Sequence, residues 1–319
     1  MMNVRRVLRY IPFLTIHAIA LCAIWVGFSW VGLCVAAALF FGRMFVITAF
    51  YHRYFSHRTF STHRVTQFVF ALVGTSCAQR GPVWWAAHHR EHHRHSDEPS
   101  DIHSPHQHGF LHSHSGWFLT ERGLGTDWSV VPDWAKYPEL RWLEKYHVIG
   151  PIGLALLMFA LGAALAHAWP GLSTSGWSML VWGFGVSTVA LYHGTFTINS
   201  LAHTLGKRRF RTSDDSRNSL LLSLLTLGEG WHNNHHYYPG TVRQGFYWWE
   251  IDITYYVLRT MSVFGLVWDL RPVPARVYEA ADQVRNSTGG QPLPTRGWPG
   301  LTRRKLSRAP IDSEAGVTP

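Results

Sequence analysis

Thiols are scarce in this chain. Its 319 residues include three cysteines, Cys22, Cys34 and Cys77, all in apolar sequence and none in a C-x-x-C pair. That count and spacing exclude a disulfide framework and a thiolate zinc site, so all three read as small core residues. Charge is sparse too: 15% of residues are charged, against 47% hydrophobic and 14% aromatic, with sixteen Trp. Such a chain is too apolar for disorder and unusual for a cytosolic enzyme. Acid is the scarcer sign, 19 Asp and Glu against 29 Lys and Arg. The resulting charge of +10 could suggest nucleic acid, but the basic residues form no aromatic-interleaved strip, and an anionic leaflet of the lipid bilayer is the better partner. No A-x-A site closes the apolar run after MMNVRRVLRY, so a retained anchor is expected rather than a cleaved signal peptide. HExxH and haem axial motifs are missing, and no internal repeat stands out.

What the chain does have is long apolar runs alternating with His-rich polar stretches. Crossing a bilayer takes about 20 apolar residues, and four stretches qualify, near 10–28, 30–50, 148–169 and 177–198. Short turns join the first to the second and the third to the fourth, predicting two helical hairpins. Lys and Arg number three before the first run, ten in 51–147 and fifteen in 201–319, with Arg43 the remaining one. Four crossings put all three basic regions on one face, and the positive-inside rule makes that face cytoplasmic. The expected fold is therefore an all-α integral protein of the cytoplasmic membrane. Four transmembrane helices in two hairpins carry a helical cap formed by 51–147 and 199–270, with both termini and the His-rich regions on the cytoplasmic side. Residues 1–270 form one domain, 99–147 reads as loop-like, and 271–319 reads as a weakly ordered tail. Arg43 is expected to mark the interface, its long side chain reaching to water.

The histidines form a constellation. HRYFSH supplies His52 and His57, HREHH supplies His89, His92 and His93, and HNNHH supplies His232, His235 and His236. NSLAH adds Asn199 and His203 one helical turn apart. Spacings of three and four put each H-x-x-H-H triplet on one helical face. Five residues between His52 and His57 do not fit one α-helical face, so that pair needs a helix end or ligands converging from two sides. All four elements lie just past the cytoplasmic ends of predicted spans. Nine imidazoles exceed what one zinc takes and suit two metals, for which iron is a good candidate. His88, four residues before His92, could turn into such a site. The tract His103, His106, His108, His112 and His114 is assigned to the surface or to a supporting role behind the ligands.

HRYFSH, RGPVWWAAHHREHH, GFLHSHSGW, NSLAH and SRNSLLLSLLTLGEGWHNNHHYYP occur here in the order and at the separations of a known family. The chain resembles the membrane-bound fatty acyl desaturases of the stearoyl-CoA (delta-9) type over about two-thirds of its length. The resemblance implies that His52, His57, His89, His92, His93, His203, His232, His235 and His236 hold two nonheme iron ions (Fe2+), with Asn199 joining through water. It implies O2 as co-substrate and a fatty acyl substrate, acyl-CoA favoured, with acyl-lipid or acyl-carrier-protein substrates as alternatives. No cytochrome b5 domain is expected in the chain. Electrons then come from a separate donor such as ferredoxin, cytochrome b5 or a reductase.

Breaking an unactivated C–H bond is work for metals, while the protein supplies ligand geometry and a dry cavity. Acceptors should orient the ligand rings from behind, with Glu91, Asp97, Asp101 and Glu229 as candidates. Ala36 and Phe40, on the helix leading to His52, are candidates for closing an acyl tunnel, with plain helix packing as the competing reading. Trp84, Trp85, Trp248 and Trp249 are expected to form an interfacial belt. A related diiron hydroxylase would share the metal site but yield an alcohol. A metal transporter would need ionisable residues within its spans, where His17, Arg43, His167 and His193 are scattered.

Overall fold

The structure, a computed structural model, describes residues 4–296. It is mostly helical, with one short antiparallel pair in which Ser61 and Thr62 meet Trp268 and Val267, and isolated bridges from Asn218 to Lys207 and Trp231. Among the described residues three helices are long and apolar enough to cross a membrane, over Arg9–Val26, Trp30–Ser56 and Ile149–Ala168. The fourth expected span is helical from Gly176 to Ser200, with a π-helical stretch at Leu180–Val186. Its own polar residues, among them Ser187, Thr188, Tyr192 and His193, make it less apolar than the other three.

Ser29 ends the first turn and starts the second helix, its hydroxyl accepting from the Gly32 amide at 3.1 Å. The fourth helical segment packs against the other three. Two glycines let the backbones approach closely: a Cβ at Gly162 would collide with the Ser175 carbonyl, and one at Gly185 would come 2.9 Å from the Ala20 nitrogen.

Arg43 corrects the sequence reading. It is buried and does not reach for water: it donates to the Leu39 and Ser76 carbonyls and to the hydroxyls of Thr188 (2.9 Å) and Ser187 (2.6 Å). Four acceptors satisfy its guanidinium inside the bundle, which removes the reason to snorkel.

The second helix runs on without a break into a π-helix, Ile47–Ser56, all ten residues of which are buried. A core forms around it, with Phe50 stacked on Phe70 at 3.8 Å and the Trp134 indole donating to the Phe55 carbonyl. The 99–147 region is more structured than expected, since helix Pro138–Lys145 buries Leu140 and Leu143 in that core. The expected weakly ordered tail is also corrected in part: Ala275–Ser287 is a helix that packs Val277 and Ala281 against Phe210 and Phe246. Residues 297–319 lie outside the described residues.

Candidate metal centre

The π-helix resolves the awkward five-residue spacing. Its i to i+5 bonding, seen where the His57 amide donates to the His52 carbonyl, brings residues five apart to one face. The two rings then lie 4.9 Å apart. Helix Pro82–His95 begins with Pro82 in its first turn, where no amide is needed, and presents His89, His92 and His93. His203 sits in the short turn after helix Ser187–Ser200, and helix His232–Tyr237 presents the last triplet.

These histidines gather into two groups. His52, His57, His89, His93 and His235 form one, and His92, His203, His232 and His236 the other, with the ring nitrogens of each group all within 4.8 Å of one another. The HREHH and HNNHH boxes are each split between the groups, because neighbouring residues on a helix diverge by about 100°. Nε2 faces Nε2 at 3.0 Å for His52–His235, 2.8 Å for His57–His89, 3.0 Å for His89–His93, 2.9 Å for His93–His235 and 3.1 Å for His203–His232.

One proton per nitrogen cannot satisfy this arrangement, since His89, His93 and His235 each face two partners through one atom. Nitrogens about 2.1 Å from a common divalent ion, at right angles, would be about 3.0 Å apart. In the second group the buried Nε2 of His236 has no hydrogen-bond partner. Burial, followed by the neighbouring rings, pushes His57, His89, His93, His232 and His235 well below the usual imidazole range, leaving them neutral and able to ligate. The donor set fits two metal ions.

Carboxylates stand behind four ligands. Glu229 contacts His52 Nδ1, while Asp101 lies 2.9 Å from His92 Nδ1, Asp97 3.0 Å from His203 and Asp214 2.6 Å from His236. Burial alone would raise these acids, but the facing imidazoles and further donors hold all four below the usual carboxylate range. Burial would also lower His203, yet Asp97 overrides it and carries the imidazole up to about 9. Asp97 takes a left-handed backbone (φ 60°) just past the helix end, which turns its side chain toward His203.

Three of the four expected acids therefore stand behind ligands. Glu91 does not: it is partly exposed and pairs with Arg94. Asp214 was not legible in the sequence, nor were Arg53 and Gln244, which hold Glu229 from behind at 3.0 Å each. The expected His tract lies around the site, with His106 reaching the His203 carbonyl and His108 the Asp101 carbonyl. His103 is buried, its ring 4.2 Å from that of His92. His88 bonds the Gly125 carbonyl and joins neither group.

An apolar cavity between Phe13, Trp117, Phe118, Tyr192 and Phe196 runs to Trp85, His89, Thr195 and Asn199. A second, smaller cavity shares those last four residues and continues past His52, His92 and His232 to Ile47 and Met44. Asn199 thus borders both cavities beside the two histidine groups. Trp84 and Trp85 are corrected: Trp84 is buried, and Trp85 stacks on His89 with centroids 4.9 Å apart, so they line the cavity rather than a belt. Trp248 and Trp249 are exposed, as a belt requires. Ala36 and Phe40 are buried but line neither cavity, and Phe40 packs with Met44 and Leu191.

The sequence profile of fatty acid desaturases matches residues 28–267. The chain is 36% identical over 257 residues to the sn-2 palmitoyl-lipid 9-desaturase of Nostoc sp. (strain 36), covering 78% of this chain and 85% of that protein. It is 36% identical over 266 residues to the sn-1 stearoyl-lipid 9-desaturase of Anabaena variabilis, with 81% and 91% covered. With the icosanoyl-CoA 5-desaturase of Limnanthes douglasii it shares 34% over 275 residues, 84% and 73% of the two chains. With this geometry and these relatives, the chain belongs to the fatty acid desaturase family.

Proposed function

We propose that this protein is an oxygen-dependent fatty acyl desaturase of the cytoplasmic membrane that places a cis double bond at position 9 of a saturated chain. The observation that carries the reading is the pair of imidazole groups opening onto an apolar cavity through Trp85, His89, Thr195 and Asn199. The nine histidines would hold two ferrous ions, with Asn199 reaching one through water. When bound, the ions supply the oxygen-activating chemistry that breaks an unactivated C–H bond. The chain's own residues do the rest. The carboxylates orient the rings, the aromatic walls exclude water, and the Gln79 amide bonded to the Thr195 hydroxyl at 3.1 Å braces the passage between the cavities. Two electrons from a separate donor and two protons balance the reduction of O2 to two waters as two substrate hydrogens leave.

The four-span topology, with the cap and both termini in the cytoplasm, belongs to the same proposal and rests on the distribution of Lys and Arg. Acyl-CoA is the headgroup implied by the stearoyl-CoA resemblance. A glycerolipid ester is the second reading, favoured by the names of the two relatives at 36% identity. Expression in an unsaturated-fatty-acid auxotroph, followed by locating the product double bond and the lipid class that carries it, tests the assignment. A cis-9 alkene is expected. Hydroxylated or wholly saturated chains despite bound iron would overturn it.

A further inference from the structure

The two histidine groups differ in the charge behind them. Three of the four ligands in the smaller group back onto a carboxylate: His92 onto Asp101, His203 onto Asp97 and His236 onto Asp214. Among the described residues no Arg or Lys pairs with any of the three. Their other donors are neutral: the Ser104 hydroxyl and Asp215 amide at Asp97, the Asp97 and His103 amides at Asp101, and the Thr212 and Ser216 hydroxyls at Asp214. In the larger group only His52 backs onto a carboxylate among the described residues. That acid, Glu229, shares the buried guanidinium of Arg53 with Asp252. Three uncompensated negative charges thus serve one group. Two carboxylates and an arginine, one net negative charge, serve the other.

A carboxylate accepting the Nδ1 proton makes the opposite nitrogen a stronger donor, and buried charge is weakly screened. Outer hydrogen bonds and local charge are among the levers by which a protein sets a metal's potential. We infer that the two metal positions are electronically unequal, and that the four-histidine position is the more easily oxidised. Asp97, Asp101 and Asp214 act on the metal through their ligands and are positioning residues.

The inference rests on the diiron reading. The test is a redox titration of the full chain in lipid nanodiscs, loaded anaerobically with ferrous iron and followed by Mössbauer spectroscopy. Each step removes one electron from one ferrous ion. Wild type should give two separate steps. Asp101→Asn and Asp214→Asn should each raise the lower potential, leave the upper in place, and weaken metal binding at one site about 10–100-fold. Glu229→Gln should instead shift the upper step. The two aspartates serve different ligands from different segments, so if one variant fails to fold the other decides, with two Co2+ bound at saturating Co2+ and a retained cooperative thermal transition as the integrity check. A single step with equivalent irons, or equal movement of both steps, overturns the inference. Fewer than two metal ions bound to wild type overturns the iron reading itself.

Discussion

Replacing a ligand and replacing a bystander should give opposite results. His235 faces both His52 and His93, so His235→Ala should leave no detectable product and reduce bound metal, while the protein still folds into the membrane. Glu91 sits within the HREHH box yet pairs outward with Arg94. Exposed pairs of this kind contribute about 0–1 kcal/mol, so Glu91→Gln should keep metal content and activity within about twofold; a metal-depleted Glu91→Gln protein would contradict the geometry. Iron analysis and product assay on the same membranes read both outcomes. Only the direction the side chain takes separates Glu91 from Asp101 and Asp214, which face ligands. Asp101 lies nine residues from His92 and Asp214 twenty-two from His236, so no helical period links either acid to its ligand.

At the scale of elements, the second helix carries two separable predictions. Its Arg43 bonds hydroxyls on the fourth helix. Arg43→Met removes the donor those hydroxyls accept from, although Ser187 keeps its bond to the Gly183 carbonyl, and the expected loss is about 3 kcal/mol, from the 1–3 kcal/mol typical of a stranded buried polar group and the loss of charged hydrogen bonds. A thermal melt in detergent checks it; an unchanged Tm would restore the interface-marker reading. One turn before Met44, where the smaller cavity ends, stands Phe40, buried against Leu191. Phe40→Ala should destabilise by about 3–5 kcal/mol and, in the protein that survives, shift products to longer chains. An active variant with the wild-type chain-length profile removes Phe40, and Ala36 beyond it, from the tunnel reading. The same helix holds the element that sequence reasoning missed. The sequence leaves the His52–His57 spacing to a helix end or to ligands converging from two sides, whereas a fully buried stretch with Phe50, Tyr51, Tyr54 and Phe55 in the core is wound to i+5 bonding.

For the whole molecule, the prediction is sidedness. After the native cysteines are replaced, a cysteine at position 173, in the exposed turn before the fourth helix, should label only from the outer face. Tags at both termini should be reached only from the cytoplasm. Labelling of position 173 and of the termini from one face would break the four-span proposal. The proposed topology rests on charge bias and apolar length, because insertion responds to local hydropathy and flanking Lys and Arg. The fourth helix was found by its place in the pattern although its polar residues dilute its hydropathy. The helix at Ala275–Ser287 was missed because its apolar residues are mostly small and interrupted by polar ones, and its stability comes from docking Val277 and Ala281 on distant aromatics.

The one-dimensional pattern alone determined that the chain is helical and apolar and that nine histidines and Asn199 recur beside helix ends, in boxes that resemble those of the fatty acid desaturases. Those features depend on composition and on spacings shorter than a turn or two. Tertiary structure alone decided how the nine divide into five and four, which acids stand behind them, and that Trp84, Trp85 and Arg43 turn inward. These outcomes depend on contacts such as His203 with Asp97, 106 residues apart, and His52 with Glu229, where side chains meet because packed helices bring them together rather than because local spacing requires it.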